Sequence, residues 1–139
     1  MSQPTFDKLC AHARETALLQ SVAELLGWDE RTKMPPAAGA YRAEQMTYLS
    51  SLAHRRHTDP QLGDWLDELA ESKLASDPHS DAGATIRQMR REYDKLRKLP
   101  QTLVEELTRA SVLGQQAWVT ARKNDDFTTF APILERIVN

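Results

Sequence analysis

Two histidines in His54-Arg55-Arg56-His57 are this sequence's nearest approach to a metal-binding motif. Zinc-binding helices of the HExxH type place two histidines one helical turn apart and follow the first with a glutamate that activates a metal-bound water. Here the histidines are one position too close, an arginine replaces the glutamate, and two arginines would repel a dication. We interpret these residues as cations near a helix C-terminus, where the helix dipole favours positive charge.

Cys10 is the sole cysteine, and it could act as a nucleophile only beside a base or a cation. His12 is two positions away and therefore points to another side of a helix. We interpret Cys10 as a small apolar residue in a helix stripe. With one cysteine no disulfide can form within the chain, which favours a reducing compartment.

Pairs of carboxylates could work as acid and base, and Glu105-Glu106 and Asp125-Asp126 are the candidates. The first pair lies at a predicted helix start and the second in a predicted capping turn, where acidic residues are favoured anyway. We interpret both pairs as structural. The sequence therefore assigns no catalytic, cofactor-binding or metal-ligating residue to this chain.

A basic helix could follow the phosphates of a nucleic acid. Its six cationic residues are Arg87, Arg90, Arg91, Lys95, Arg97 and Lys98. Tyr93 is the single aromatic residue among them, and 18 Lys+Arg against 20 Asp+Glu give a net charge of −2. We expect a solvated or docked helix face and no nucleic-acid partner.

The stretch from Leu25 to Pro36 is the joint of the N-terminal half, because a helical pattern ends there and two prolines follow. Trp28-Asp29 has two interpretations. Trp28 is a core side chain while Asp29 binds backbone N–H groups of the turn or pairs with an arginine such as Arg42. Alternatively, the two residues line a groove for a ligand. General burial tendencies favour the first.

Apolar residues recur at helical spacing along the whole chain, and we find no strand pattern, so we predict an all-α fold. It comprises about five to six helices joined by proline-marked turns into antiparallel hairpins. The predicted helices run from Pro4 or Thr5 to Trp28, over 38–57, 60–75 and 81–98, from 100–102 to the turn at 124–126, and from about Pro132.

The predicted buried faces follow from the same spacing. In the first helix they are Phe6, Leu9, Cys10, Ala13, Ala17, Leu18, Val22, Leu25 and Leu26. In the second they are Arg42, Met46, Leu49, Leu52 and Ala53. In the third they are Leu62, Trp65, Leu66, Leu69 and Lys73, and in the fourth a narrow seam of Ile86, Met89, Tyr93 and Leu96. In the fifth they are Leu103, Leu107, Ala110, Gly114, Ala117, Trp118 and Ala121. Asp59 before Pro60 predicts a helix cap, and Thr102 with Glu105 predicts a capping box.

The N-terminus has no apolar run behind a basic start, and no apolar run approaches the ~20 residues of a membrane span. We expect a cytoplasmic protein with no membrane partner.

Several separated motifs resemble the N-terminal region of the carboxypeptidase Taq family of thermostable metallocarboxypeptidases. In the first half they are Leu25-Leu26-Gly27-Trp28-Asp29, Met34-Pro35-Pro36, Arg42-Ala43-Glu44-Gln45 and Leu49 through Leu52-Ala53-His54. In the second half they are Arg91-Glu92-Tyr93-Asp94, Leu99-Pro100, Leu103-Val104-Glu105, Gln116-Ala117-Trp118, Ala121-Arg122, Asn124-Asp125-Asp126-Phe127 and Phe130-Ala131-Pro132.

The resemblance implies a mostly helical, cleft-containing peptidase that removes amino acids from peptide C-termini and is typically a homodimer. It also implies a divalent metal, zinc or cobalt, held by an HExxH helix and a downstream glutamate. This sequence has no HExxH, so no metal ligand or catalytic residue of the family can be placed on it.

We therefore expect residues 1–139 to be one N-terminal helical segment, the lid or groove wall of a larger metallopeptidase, and to be inactive alone. The parent would bind peptides and its metal. We expect the chain to self-associate as a dimer through apolar surface around Phe127, Phe130, Ile133 and Ile137. A stand-alone helical interaction module without catalysis is the alternative.

Overall fold

A computed structural model describes residues 2–139, and every regular element within them is helical. The α-helices are α1 Ser2–Thr32, α2 Gly39–His57, α3 Pro60–Ala70, α4 Asp81–Leu96, α5 Gln101–Lys123 and α6 Ala131–Val138. Short 3₁₀ turns occupy Pro36–Ala38, Lys73–Ala75 and Phe127–Thr129. The predicted all-α fold is confirmed, and no described helix combines the length and the apolar character of a membrane span.

The chain divides into two compact units. The first unit combines the chain up to Leu19 with Leu52–Pro100, and the second unit combines Gln20–Ser51 with Gln101–Asn139. Helices α1 and α2 each contribute to both units.

The first unit has an apolar core built on α3. Its fully buried side chains are Leu9, Leu66 and Leu69, and Leu62, Ile86 and Tyr93 complete the cluster. Leu9 comes from the predicted stripe of α1, and the predicted stripes of α3 and α4 supply the other five residues, with α4 packed on α3. Burial of large apolar side chains is the main stabilising contribution here.

The start of α3 follows the predicted cap chemistry. The Asp59 carboxylate accepts a hydrogen bond of 2.9 Å from Gln61 N, with Pro60 in the first helical turn. The Ser80 hydroxyl caps α4 by accepting from Gly83 N at 3.0 Å. Helix α3 is shorter than predicted: it ends at Ala70, and a 3₁₀ turn covers the rest of the predicted span.

The capping box predicted at the start of α5 is wrong. Thr102 lies within the helix, which already begins at Gln101. Glu105 accepts a 2.7 Å hydrogen bond from Ser51 Oγ and a longer one from Gln101 Nε2. In a capping box the Glu105 carboxylate would accept from a nearby backbone N–H. In this structure it joins α5 to α2 instead.

Helix α1 is longer than predicted, because Gly27 weakens it without ending it. The helix continues to Thr32, whose hydroxyl donates to Trp28 O at 2.8 Å. The amides of Lys33 and Met34 both donate to Asp29 O at 2.9 Å. Pro35 and Pro36, rather than the glycine, thus set the helix end.

In the second unit the buried face of α2 is small and polar, which corrects the predicted face. The buried residues are Ala43, Thr47 and Ser51, whereas Arg42 and Met46 are half-buried. Ser50 Oγ and Thr108 Oγ1 share a 2.9 Å hydrogen bond across the α2–α5 contact. The spacing of large apolar residues does not predict a buried face made of alanine, threonine and serine.

The second half of the predicted α1 stripe is also wrong. Leu18, Val22 and Leu25 are exposed, and so is Trp28, at 58%. In this part of α1, the contacts with α2 and α5 come from Leu26 O, Asp29 and Glu30 instead.

Glycines inside two helices give opposite expectations for the same substitution. A β-carbon added at Gly63 in α3 would lie 2.5 Å from the Tyr93 hydroxyl, whereas one added at Gly27 in α1 would meet only Met46 Cε, at 3.6 Å. Gly63→Ala should therefore destabilise the protein by about 1–3 kcal/mol through overpacking. Gly27→Ala should stabilise it by about 0.5–1 kcal/mol. Urea unfolding followed by circular dichroism measures both, and equal shifts would contradict the close α3–α4 contact.

Candidate functional site

Arg42 organises the joint between α1 and α2. Its Nη1 donates to Leu26 O at 2.7 Å, its Nη2 to Asp29 Oδ2 at 2.8 Å and its Nε to Gln45 Oε1 at 3.1 Å. The side chain is only 12% exposed. The predicted pairing of Asp29 with Arg42 is confirmed. The core position predicted for Trp28 is wrong.

Two grooves flank the end of α1 within the second unit. One has a volume of about 640 Å³ and lies between the α1–α2 joint and α5, with Glu30, Arg31 and Lys123 in its wall. The other, of about 670 Å³, is lined by Trp28, Gly27, Met46 and Arg31. Such concave surfaces combine apolar contact area with charges of both signs, so they can bind a ligand by contact and hydrogen bonding.

Gln116 lies in the wall of the groove of about 640 Å³, beside Glu30. Its Nε2 donates to Gly39 O at 3.0 Å and to Glu30 Oε1 at 3.3 Å. Sequence reasoning did not single out Gln116 as a positioning residue, because the partners lie 77 and 86 positions away in the chain.

Residues 2–139 contain no group of three or more His, Cys, Asp or Glu side chains placed to share a metal ion. A catalytic zinc site uses three protein ligands plus an open position. The described part of the chain therefore does not fit the metal that the resemblance implies.

The histidines of the His54–His57 segment serve packing in the first unit. His54 is buried, and its Nε2 donates to Leu99 O at 2.9 Å. His12 from α1 donates through Nε2 to Arg56 O at 2.9 Å. Arg56 in turn donates to Thr16 Oγ1 at 2.9 Å and to His12 O at 3.1 Å. These bonds tie α1 to the end of α2.

His54, Arg55, Arg56 and His57 occupy the last turn of α2, as predicted, but the surroundings of His57 disfavour its charged form. Burial lowers the pKa of His57, and the nearby His12 lowers it further. Glu92 opposes this shift, while His54 and Arg56 add to it. The neutral imidazole is thus favoured, since desolvation and neighbouring cations both disfavour the charged form.

Arg90 and Arg97, two of the six basic residues of the predicted fourth helix, have partners within the first unit. Arg90 pairs with Asp67 and lies 3.9 Å from Asp94. Arg97 lies 3.7 Å from Asp94 and stacks 5.5 Å from the Tyr93 ring centroid. These contacts support a structural role for the helix. The absence of a nucleic-acid partner stays a prediction.

The two carboxylate pairs take part in structural contacts. Glu105 bonds Ser51, as described above, and Asp126 Oδ1 accepts from Thr128 N at 3.0 Å to cap a 3₁₀ turn. Asp125 has a positive φ of 52° in the same turn. Cys10 is half-buried rather than fully buried.

Comparison with known proteins gives one consistent family. The sequence profile of the carboxypeptidase Taq (M32) metallopeptidases matches residues 8–139. The chain is 38% identical over 135 residues to Thermostable carboxypeptidase 1 of Thermus thermophilus, covering 97% of the chain and 26% of that relative. It is 27% identical over 114 residues to Carboxypeptidase 1 of Bacillus subtilis, covering 82% of the chain and 22% of that relative.

A solved structure shows the same similarity. The BsuCP crystal structure matches with a TM-score of 0.80 at 28% identity, over 97% of this chain and 26% of that one. The chain thus spans about a quarter of the length of the relatives it matches.

Acid should weaken the fold through His57. The pKa of His57 is lower in the folded than in the unfolded chain, so below about pH 6.5 the unfolded chain binds more protons. The free energy of unfolding is therefore undiminished above about pH 6.5 and falls as the pH drops through the folded pKa. Urea unfolding at about pH 7.5 and at about pH 5 should show this loss, because histidine changes its charge within that range. His57→Gln should reduce it, and an unchanged slope would contradict the assignment.

The ion pairs Arg42–Asp29 and Arg109–Glu44 of the second unit give a matched test of how much Arg42 stabilises the α1–α2 joint. Arg42→Ala should lower the free energy of unfolding by about 1–3 kcal/mol, because it leaves Leu26 O and Asp29 without their donor. Arg109 also pairs with a carboxylate, and its hydrogen bond and charge lower the pKa of Glu44. That pair is exposed, so Arg109→Ala should change stability little. Equal losses in urea unfolding would remove the special role of Arg42.

Proposed function

The chain belongs to the carboxypeptidase Taq (M32) family of metallopeptidases, and we propose that it is the N-terminal part of a carboxypeptidase that removes C-terminal amino acids from peptides. The proposal rests on how much of each protein the alignment with a relative covers. A relative with that enzyme name aligns with 97% of this chain, yet the alignment occupies only 26% of the relative.

In this proposal residues 1–139 are scaffold, forming the lid or one wall of the peptide groove. The support is the concave surface around the end of α1, where an exposed Trp28 and groove-lining Arg31 face solvent-accessible space. An aromatic surface and a guanidinium suit contact with a peptide, which offers apolar side chains and carboxylates.

The metal of the parent enzyme, zinc or cobalt in our proposal, would be held by residues outside this chain. Residues 2–139 offer no fitting ligand group, so no chemical step is assigned to them. When bound, such a metal polarises a carbonyl and activates water.

We further propose that the parent is a cytoplasmic homodimer and that the isolated chain self-associates. Exposed apolar side chains support the second point, although their positions differ from the expected patch. Phe127 is exposed as expected, but Phe130, Ile133 and Ile137 are half-buried. Val138 and Leu134 are the exposed apolar residues of α6.

The assay that tests the function compares two proteins from the same gene. The complete gene product should release C-terminal residues from a test peptide and lose that activity on treatment with a chelator. Purified 1–139 should release none, because a metal site needs ligands that residues 2–139 do not supply.

Either of two results would contradict this proposal. Activity of purified 1–139 would refute its role as scaffold. A reading frame that ends at codon 139, or one that continues without activity in its product, would favour the stand-alone interaction module instead. Light scattering on 1–139 at high concentration checks self-association, and a monomer would count against it.

A further inference from the structure

Helix α6 covers only part of the apolar stripe of α5. The stripe residues are Leu103, Leu107, Ala110, Gly114, Ala117, Trp118 and Ala121. A β-carbon added at Gly114 would lie 3.2 Å from Ile133 Cγ2 and 3.5 Å from Ile137 Cδ1. The missing side chain at Gly114 thus lets α6 approach closely, and both isoleucines of α6 rest on this one position of the stripe.

The contacts also give the direction of α6. Phe130, just before α6, shares a small cavity with Trp118 and Ala121 near the end of α5. Ile133 and Ile137, further along, lie at Gly114. Helix α6 therefore runs antiparallel to α5 and is directed towards the N-terminal half of the stripe.

That N-terminal half is uncovered. Leu103 is 47% and Leu107 48% exposed. The 23 residues of α5 extend about 34 Å and the 8 residues of α6 about 12 Å at ~1.5 Å per residue. The described part of α6 is thus too short to reach Leu103.

We propose that in the complete protein the segment following Asn139 continues α6 for about three turns and covers Leu107 and Leu103. This rests on the proposed function, because it requires the longer polypeptide of the relatives, of which this chain spans 26%. The path of α6 singles out its own continuation as the occupant: a helix already packed along the stripe reaches the uncovered residues simply by extending.

The proposal predicts which residue types follow Asn139 in the complete protein. The face that carries Ile133 and Ile137 must remain apolar, with large apolar residues at about positions 141, 144 and 148 and no proline between them. Polar residues at all three positions would overturn it.

The experiment measures the accessibility of Leu107. With Cys10 replaced by alanine, Leu107→Cys is introduced both into 1–139 and into the complete gene product, and the rate of maleimide labelling is followed. We expect fast labelling in 1–139 and labelling slowed by about tenfold or more in the complete protein, because a packed helix must open before reagent enters. A second variant of the complete protein carries two prolines near position 144, which should break the continued helix and restore fast labelling.

Each other outcome overturns the proposal. Fast labelling in the complete protein means that the stripe stays open. Slow labelling that the prolines leave unchanged means that another segment covers it. Slow labelling of 1–139 that becomes fast on dilution means that a second copy covers it. Carboxypeptidase activity, assayed separately on the complete protein without these substitutions, reports on the proposed function alone.

Discussion

The guanidinium of Arg42 holds the α1–α2 joint together, and much of the second unit's local order depends on it. Two prolines follow α1, which ends at Thr32, and force a turn. Arg42 supplies a donor to Leu26 O and a counter-charge to Asp29, both at hydrogen-bond distance. A lysine could not make both bonds with fixed geometry, because only the planar guanidinium presents several donors at set angles.

The two units are built by different kinds of contact. In the first unit, leucines of α1 and α3 pack with Ile86 and Tyr93 of α4 into an apolar core. In the second unit, described by itself, polar contacts such as Ser51 with Glu105 and Gln116 with Gly39 join α2 to α5, whereas α6 packs apolar side chains on α5. Hydrogen bonds specify geometry well but each adds only about 1 kcal/mol net to stability.

This difference explains what could be predicted from the sequence. Apolar spacing predicted the α3 and α4 stripes, and cap chemistry predicted the Asp59 start, because those features are local. The same spacing failed for the second half of α1 and for α2, where polar or small residues make the contacts. The tie between Ser51 and Glu105 joins residues 54 positions apart, and no local pattern contains it. Family motifs predicted the family but could not show which faces are buried.

The outward placement of large apolar side chains in the second unit follows from the same contacts. Val22, Leu25 and Trp28 on α1 and Leu103 and Leu107 on α5 are exposed, while the residues between the helices are small or polar. Such a unit gains little of the apolar burial that is the dominant favourable term in folding. Its polar contacts fix how α1, α2 and α5 present those side chains. This arrangement leaves those apolar side chains available for the contacts proposed above, Trp28 with a peptide and Leu103 and Leu107 with a further helical segment.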